Sequence, residues 1–383
     1  MNNQPKKHIE GLNLNTKQRC FLGKTIAVLS LSFVLQGRSC RSGGGTMNHM
    51  VKKINDNQFI KEIENRKDIS QQDEVGNNML YAAVKSQELQ KVVLLLKRID
   101  EDIASHFIYK HKDFPNTYDK KSKKTALGLA IEKNYIDILN RLVKSDHIDI
   151  NKAKMGSTSL LEALLNKKEA IANILVKHPK IDIHTKDATS GSSPLHLALE
   201  QKLKDIAFLL ITKFSDQDLK GKNKKGETAL HLAIEHNLDD VVTSLVRKFS
   251  TIEDLCAKDN KGRTPLHMAV RGNHKHTFQP VLNQIERLCS DKSIFIGKLF
   301  EKDTEGRSVF ARAYLPKSDT QRRIHIPEDN ANMFQYVLSN VKHSLDPEHW
   351  NLITTEINSL KQKGIIKEEY KDKLLKIVNR HKP

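Results

Sequence analysis

Residues 193–198 read SPLHLA, and the chain repeats this six-residue block at a regular interval. Residues 228–233 (TALHLA) and 264–269 (TPLHMA) are close copies. Four weaker copies follow the same template: residues 78–83 (NMLYAA), 125–130 (TALGLA), 158–163 (TSLLEA) and 308–313 (SVFARA). The block starts at 125, 158, 193, 228 and 264 are separated by 33, 35, 35 and 36 residues. Self-similarity at such a period predicts a stack of short structural repeats.

The residue types within each block predict the start of a helix. The first residue is Thr, Ser or Asn in every copy, and its side-chain oxygen can cap the free amide groups of a helix. Proline follows in two copies, as Pro194 and Pro265, where it loses no hydrogen bond and already has a helical φ. The Leu in third place and the Ala in sixth share one face, where the Leu fills a core and the small Ala lets a neighbouring helix approach.

A turn precedes the blocks and a bend follows them. Asp-x-x-Gly stands before three blocks, and Asn223 with Gly226 is a variant of it. The three pairs are Asp73 and Gly76, Asp259 and Gly262, and Asp303 and Gly306. Glycine tolerates the positive φ of a tight turn, and Asp or Asn can bond nearby backbone there. Beyond the blocks, Asn134, Asn237 and Asn273 suit a left-handed bend, and apolar residues at helical spacing then predict a second helix.

The blocks, their turns and their period resemble the ankyrin repeat, whose signature contains Thr-Pro-Leu-His. The resemblance covers residues 70–315 and implies an all-α ankyrin-repeat solenoid of about six to seven repeats. Residues 41–69 would be a linker and amino-terminal cap, and residues 316–383 a degenerate repeat followed by a helical carboxy-terminal cap. Candidate helices in that cap span residues 332–341, 347–362 and 367–380. A separate partner-binding module formed by these helices is the alternative.

Two features depart from the regular pattern. The starts of the first two blocks, 78 and 125, are 47 residues apart, which predicts a long finger between repeats at residues 106–121. Pro280 falls inside an expected second helix, so that helix should start late or kink there.

The amino-terminal region has the layout of an export signal. Lys17, Arg19 and Lys24 precede an apolar run over residues 25–35, which is too short for an ordinary transmembrane helix. Residues 36–45 (QGRSCRSGGG) resemble a bacterial lipoprotein signal in which Cys40 is lipidated and a glycine tether follows. We therefore expect residues 1–40 to direct export and the protein to be membrane-anchored or secreted. A plain signal peptide, a short membrane anchor, or translation from Met47, which would leave the protein cytoplasmic, are the alternatives.

Charge is the most pronounced feature of the composition. Lys and Arg together number 64 against 46 acidic residues, which gives a formal net charge of +18. A basic surface favours acidic proteins, nucleic acid or anionic lipid as partners. A Lys-rich composition that merely reflects an AT-rich genome is the alternative explanation.

The sequence carries no catalytic signature. It lacks phosphate-binding glycine loops, the H-E-x-x-H metal motif and the G-x-S-x-G nucleophile elbow. His196, His231 and His267 hold the same place in successive repeats, which favours bonds to nearby loop backbone. The four cysteines show no zinc-ligand spacing, and Cys256 and Cys289 are expected to be buried or half-buried thiols. We predict no enzyme activity, no cofactor and no metal site.

The turns that precede the blocks are rich in lysine, and the resemblance implies that turn tips and first helices bind protein partners. Because successive tips lie side by side in a solenoid, we expect a positive edge, here called the basic ridge, that holds an acidic protein surface. It comprises Lys120, Lys121, Lys154, Lys186, Lys224, Lys225, Lys261 and Arg263. The alternative is that these lysines are only solvated and bind no partner. Nucleic-acid binding is less expected because no stacking or groove-binding motif accompanies the charge, and a structural envelope lipoprotein is a third alternative.

Overall fold

The computed structural model describes residues 47–66, 69–73, 77–104, 114–314, 328–363 and 366–383. The predicted export segment, Cys40 and Gly76 lie outside the described residues. Within these ranges the chain is helical, with two isolated bridges between turn residues and no strand. The expectation of an all-α fold is confirmed.

A helix begins at every one of the seven blocks, as the sequence predicts. These first helices are Met79–Lys85, Ala126–Lys133, Ser159–Leu165, Pro194–Glu200, Ala229–Glu235, Pro265–Gly272 and Val309–Tyr314. The first residue of the block caps the helix: Asn78 accepts a hydrogen bond from the amide of Tyr81, and Thr158 accepts one from the amide of Leu161. Each repeat is named below by this capping residue.

A second helix follows each of the first six and packs against it. The second helices are Leu89–Ala104, Ile136–Leu142, Glu169–Lys177, Lys204–Lys213, Asp239–Lys248 and Lys275–Leu288. The bends between the two helices contain Asn134, Asn237 and Asn273, with φ of 61°, 54° and 58°. This left-handed conformation is the one that the sequence predicts at these asparagines.

Short helices that the sequence pattern does not reveal lie between some repeats. Asp216–Leu219 and Ile252–Leu255 span four residues each and are capped by Ser215 and Thr251. Lys292–Phe300 fills the same interval after the Thr264 repeat. Two helices, Met47–Lys53 and Asp56–Asn65, precede the first block.

The second helices and the block leucines form one continuous hydrophobic core that runs from Val51 to Val378. Leu160, Leu195, Leu230 and Leu266 occupy the third place of their blocks and are buried. Each repeat therefore buries its apolar face against its neighbours, which is how a solenoid obtains its stability.

Three buried histidines connect successive repeats. The Nδ1 atom of His196 lies 3.3 Å from the amide of Ser193, and its Nε2 atom lies 3.1 Å from the carbonyl oxygen of Glu227 in the next repeat. His231 and His267 repeat this arrangement towards Arg263 and Arg307. The expectation that these imidazoles bond loop backbone is confirmed.

The two irregular segments differ from the sequence-based expectations. The Pro280 helix begins at Lys275 without delay and continues through the proline to Leu288, so the expected late start is wrong, while the alternative of a kink at Pro280 stays a prediction. Of the predicted finger, residues 106–113 lie outside the described residues. Its later part includes the 3₁₀ helix Phe114–Asn116, which is buried, and Asn78 donates to the carbonyl oxygen of Phe114 at 3.0 Å.

The carboxy-terminal helices pack on the last block. They are Glu328–Val341, the 3₁₀ turn Lys342–Ser344, Pro347–Gln362 and Glu368–His381. Ser308, the first residue of the last block, donates to Glu356 at 2.9 Å, and Tyr370 donates to the carbonyl oxygen of Tyr314 at 3.3 Å. The three helices predicted here are thus present and continue the core of the repeats.

Candidate protein-binding surface

The turns before the blocks are held by an Asp or Asn side chain. In the Thr228 repeat, the Oδ1 atom of Asn223 accepts hydrogen bonds from the amides of Lys225 and Glu227, both at 2.9 Å. Asp259 and Asp303 do the same in their own turns. Gly226 and Gly262 adopt φ of 75° and 68° at the tips, a conformation that favours glycine. The side chains at these tips therefore sit on a rigid backbone.

Successive turn tips are hydrogen-bonded to each other. The amide of Lys224 donates to the carbonyl oxygen of Ser190 at 2.9 Å, and the amide of Asn260 donates to that of Lys225 at 3.0 Å. The amides of Met155 and Thr304 make the corresponding bonds to Lys123 and Lys261. These bonds place neighbouring tips side by side along one edge of the solenoid.

Seven of the eight residues of the basic ridge are exposed lysines. Two of them also connect tips, because Lys224 Nζ donates to the carbonyl oxygen of Ala188 at 2.6 Å and Lys186 Nζ donates to that of Lys222 at 3.3 Å. The other five ammonium groups make no hydrogen bond or ion pair within the described residues. They belong to Lys120, Lys121, Lys154, Lys225 and Lys261.

Arg263 does not belong to the exposed edge, and the expectation that it contributes to the ridge is wrong. Its side chain turns inward, so the residue is only 8% exposed. The guanidinium lies 2.6 Å from Asp259 and 3.9 Å from Glu227. Burial alone would raise the pKa of Asp259, but the hydrogen bonds and charge of Arg263 outweigh it and hold that pKa below its ordinary value.

A second row of side chains, missed by the sequence analysis, lies at the carboxyl ends of the first helices, seven positions after each capping residue. In five consecutive repeats this floor row contains Glu132, Leu165, Glu200, Glu235 and Arg271. Two of its glutamates reach back to the tips. Lys124 Nζ donates to Glu132 at 2.6 Å, and the Ser192 hydroxyl donates to Glu200 at 3.4 Å. Tips and floor row therefore face the same side of the solenoid and form one surface.

The buried histidines are neutral parts of the scaffold. A carbonyl oxygen can only accept, so the Nε2 atom carries the proton and Nδ1 accepts from the cap amide. Burial lowers the pKa of His196 and of His267 to about 4, and it also lowers the pKa of His231. Each imidazole has both nitrogens engaged, which leaves neither free for proton transfer to a bound substrate.

The two described cysteines are likewise unsuited to chemistry. Cys256 is buried and Cys289 half-buried, as the sequence predicts. Burial raises the pKa of the Cys256 thiol to about 12 and raises that of Cys289, so neither thiol ionises readily at neutral pH. Among the described residues, no cluster of His, Cys, Asp or Glu has the geometry to hold a metal ion. In those same ranges no helix combines the length and apolarity needed to span a bilayer.

Comparison with known proteins agrees with the repeat geometry. The family model for ankyrin repeats matches three overlapping segments, residues 99–187, 160–254 and 195–292, which together cover just over half of the 383 residues. The chain belongs to the ankyrin-repeat family. Ankyrin repeats typically mediate protein–protein interaction, and their fold is generally a non-catalytic scaffold. No curated relative matches the chain by sequence.

Several solved ankyrin-repeat structures are similar to this chain. The ankyrin-repeat domain of Bcl-3, a member of the IkappaB family, is 18% identical, covers 62% of this chain and 95% of its own length, and gives a TM-score of 0.45. An ankyrin-repeat domain from Acinetobacter baumannii is 22% identical over 49% of this chain and 89% of its own, with a TM-score of 0.40. The ankyrin-repeat protein EF0377 is 22% identical over 55% and 98%, with a TM-score of 0.42. These likenesses concern the fold alone.

Proposed function

We propose that this ankyrin-repeat protein is a non-catalytic binding module whose lysine-rich edge holds the acidic surface of another protein. The observation that carries the proposal is the row of exposed lysine side chains on turn tips that are hydrogen-bonded to one another. A rigid row of like charges attracts a complementary surface and accelerates association. The tips hold the charge in register, so the partner meets a fixed pattern.

The lysines whose ammonium groups have no partner inside the protein are the ones that we propose contact the acidic protein. Lys154, Lys225 and Lys261 lie on the tips of three different repeats, and their ammonium groups make no hydrogen bond or ion pair within the part of the chain described. Forming a contact with a carboxylate therefore breaks no bond inside the protein. Lys224 and Lys186, by contrast, would first have to leave the carbonyl oxygens that they bind.

The proposal extends to the location of the binding module. Lipidation of Cys40 would tether the repeats to a membrane through residues 41–45, and acyl chains stabilise such attachment by about 0.8 kcal/mol per buried methylene. A bacterial protein displayed in this way would present its basic ridge to proteins outside the cell, including those of a host. Replacement of Cys40 by Ala should then move the protein from the membrane fraction to the soluble fraction.

The test is affinity capture with the full chain and two charge-reversal variants. The ridge variant carries Lys154→Glu, Lys225→Glu and Lys261→Glu. The control variant carries Lys144→Glu, Lys177→Glu and Lys248→Glu, three exposed lysines at the ends of second helices. Both variants change the net charge by the same amount, so only the place of the charge differs.

We expect the ridge variant to lose the acidic proteins captured by the wild-type chain, and the control variant to retain them. An identical set of captured proteins for all three baits would contradict a role for the ridge. If the ridge variant instead loses steeply salt-dependent binding to duplex DNA, nucleic acid is the partner class.

A further inference from the structure

Among the described residues, large apolar side chains that face solvent are few, and two of the four lie in one repeat. Four are markedly exposed among the described residues: Met155 (58%), Leu165 (42%), Ile294 (45%) and Leu352 (54%). Met155 and Leu165 both belong to the Thr158 repeat, one at its tip and one in its floor-row position. Ile294 and Leu352 lie on two different helices near the carboxyl end. Clustered exposed apolar surface with a polar rim is typical of an interaction site.

The neighbouring repeats have polar residues at both of these positions. The tip position three residues before the cap is Ser122 and Ser190 in the two adjoining repeats, and Lys225 and Lys261 in the next two. The floor-row position of Leu165 is Glu132 on one side and Glu200 on the other. The Thr158 repeat therefore interrupts a polar surface with two apolar side chains, although its fold is the same as that of its neighbours.

Contacts in the adjoining repeats show that tip and floor row are within reach of one another. Lys124, next to the cap of its repeat, donates to Glu132, and Ser192 donates to Glu200 from the equivalent position. The matching residues in the Thr158 repeat are Ser157 and Leu165. A partner seated on the tip can therefore also touch Leu165.

Ser157 lacks the hydrogen bond to a floor-row glutamate that the equivalent serine makes in the next repeat. Its hydroxyl oxygen is buried and has no hydrogen-bond partner, because Leu165 replaces the glutamate that accepts from Ser192 in the next repeat. An unpaired buried hydroxyl destabilises the folded chain. The Thr158 repeat thus exposes an apolar residue and also loses an internal hydrogen bond, which is the opposite of what stability alone would favour.

The charge near Met155 and Leu165 indicates what kind of partner segment would bind there. Lys121, Lys123 and Lys154 are exposed beside Met155 on the same two tips. Leu165 itself lies between two floor-row acids: Glu132, which is engaged by Lys124 and Lys133, and Glu200, which accepts from Ser192. The unpaired positive charge is therefore at the tip, around Met155.

We propose that Met155 and Leu165 are the apolar anchor point of the binding surface, and that they take a segment of an acidic protein in which a large apolar side chain is flanked by carboxylates. This inference rests on the proposed function and adds the position and the chemistry of the contact. The apolar residue of the partner lies between tip and floor row, and its flanking carboxylates meet Lys121, Lys123 and Lys154. Anchors of this kind, surrounded by a polar rim, carry most of the affinity of protein interfaces.

The test uses random twelve-residue peptides displayed on phage and selected on the full chain, followed by affinity measurements with the enriched peptides. Two single substitutions between the tip and the floor row, called the groove variants below, bring in residues like those of neighbouring repeats. Met155→Ser places the serine of the adjoining tips, and Leu165→Gln supplies an amide that can pair with Ser157 without changing the charge. Leu352→Gln makes the same substitution at a leucine elsewhere that is even more exposed, 54% against 42% for Leu165, and is the matched control.

We expect enriched peptides to be acidic and to contain a large apolar residue. Their affinity should fall about tenfold for either groove variant, or about 1.4 kcal/mol, and stay unchanged for Leu352→Gln. Urea unfolding should show Leu165→Gln to be at least as stable as the wild type, which separates lost binding from lost folding.

Three results would overturn the inference: no enriched peptide, enriched peptides without acidic character, or equal affinity for wild type and both groove variants. If peptides bind both groove variants normally but lose affinity for the ridge variant, the proposed function is supported and the role of Met155 and Leu165 as an anchor is contradicted. If affinity is also unchanged for the ridge variant, both the anchor and the proposed function are contradicted.

Discussion

At the scale of single residues, the histidine column is the clearest link between sequence and stability. His196, His231 and His267 each join the cap of one repeat to the backbone of the next. Their neutral form is required, because a proton on Nδ1 would remove the acceptor for the cap amide. Protonation of these histidines should therefore destabilise the folded state at acid pH, and the histidine in the fourth place of the block marks the residue responsible.

The first prediction concerns the pH dependence of unfolding. Below pH 6.5 the unfolded chain takes up protons on these histidines, whereas the folded chain, in which the pKa of His196 and His267 is about 4, does not. The free energy of unfolding should therefore fall as the pH falls from 6.5 towards 4. His196→Gln should reduce that slope by about 1.4 kcal/mol per pH unit, the share of one proton. Urea unfolding at several pH values measures it, and an identical slope in the variant would refute the role of His196.

The second prediction separates Arg263 from its exposed neighbour Lys261. Arg263→Ala leaves the carboxylates of Asp259 and Glu227, 1% and 6% exposed, without their cation, and we expect a loss of about 3 kcal/mol. Lys261→Ala should change stability by less than about 0.5 kcal/mol. Chemical denaturation of both variants measures the difference. Equal stabilities would mean that Arg263 is not part of the scaffold.

At the scale of elements, the first helix of the Thr125 repeat lies very close to the turn of the next repeat. This close approach depends on a glycine in one of the weaker copies of the block. In the Thr125 repeat, Gly128 stands where three of the other repeats have histidine. A Cβ atom there would lie 1.9 Å from the carbonyl oxygen of Ala153, which instead accepts a hydrogen bond from the amide of Thr125 at 2.9 Å. The turn of the next repeat thus contacts the cap directly, without a histidine between them.

The third prediction tests this contact with two glycines inside helices. Gly128→Ala should destabilise the protein by about 3 kcal/mol, since the added methyl separates the helix from the turn and breaks the bond to Thr125. Gly297→Ala has open space around its Cβ and should stabilise the protein by about 0.5 to 1 kcal/mol through helix propensity. Thermal unfolding of both variants is the measurement. A neutral Gly128→Ala would show that the two elements do not approach as closely as described.

The elements that could be predicted from the sequence are those with local chemical signals. Capping residues marked the starts of the first helices, and Asn134 marked a bend. The late start expected from Pro280 was wrong, because packing of a fourteen-residue helix outweighs the single hydrogen bond that a proline removes. The four-residue helices had no periodicity to reveal them. Asp259-x-x-Gly262 predicted the turn, but not that Asp259 also binds the guanidinium of Arg263 at 2.6 Å and so turns it inward, with Glu227 of the preceding repeat 3.9 Å away. The floor row was missed because its contacts run from the turn to the far end of the first helix, eight residues apart, and no short motif marks such a pair.

At the scale of the whole molecule, one continuous core connects the repeats to the carboxy-terminal helices. Trp350 is buried in Pro347–Gln362, and Glu356 accepts from the cap residue Ser308. Burial raises the pKa of Glu356 above its usual range. These helices therefore share the stability of the last repeat.

The fourth prediction is that deletion of residues 347–383 lowers the stability of the repeats. The last block would lose the partners of Ser308 and Tyr314 and expose apolar surface, so we expect the midpoint of thermal unfolding to fall by more than about 5 °C. Scanning calorimetry of the shortened chain measures this. An unchanged midpoint would favour the alternative, in which these helices form a separate module.

The central claim is that partners contact the exposed lysines of the ridge. The most direct measurement is the rate of lysine acetylation by a water-soluble reagent, read by mass spectrometry, in the full chain alone and with a captured partner. We predict that Lys154, Lys225 and Lys261 become protected while Lys144, Lys177 and Lys248 react as before. Protection of the second group with no change in the first would contradict the account.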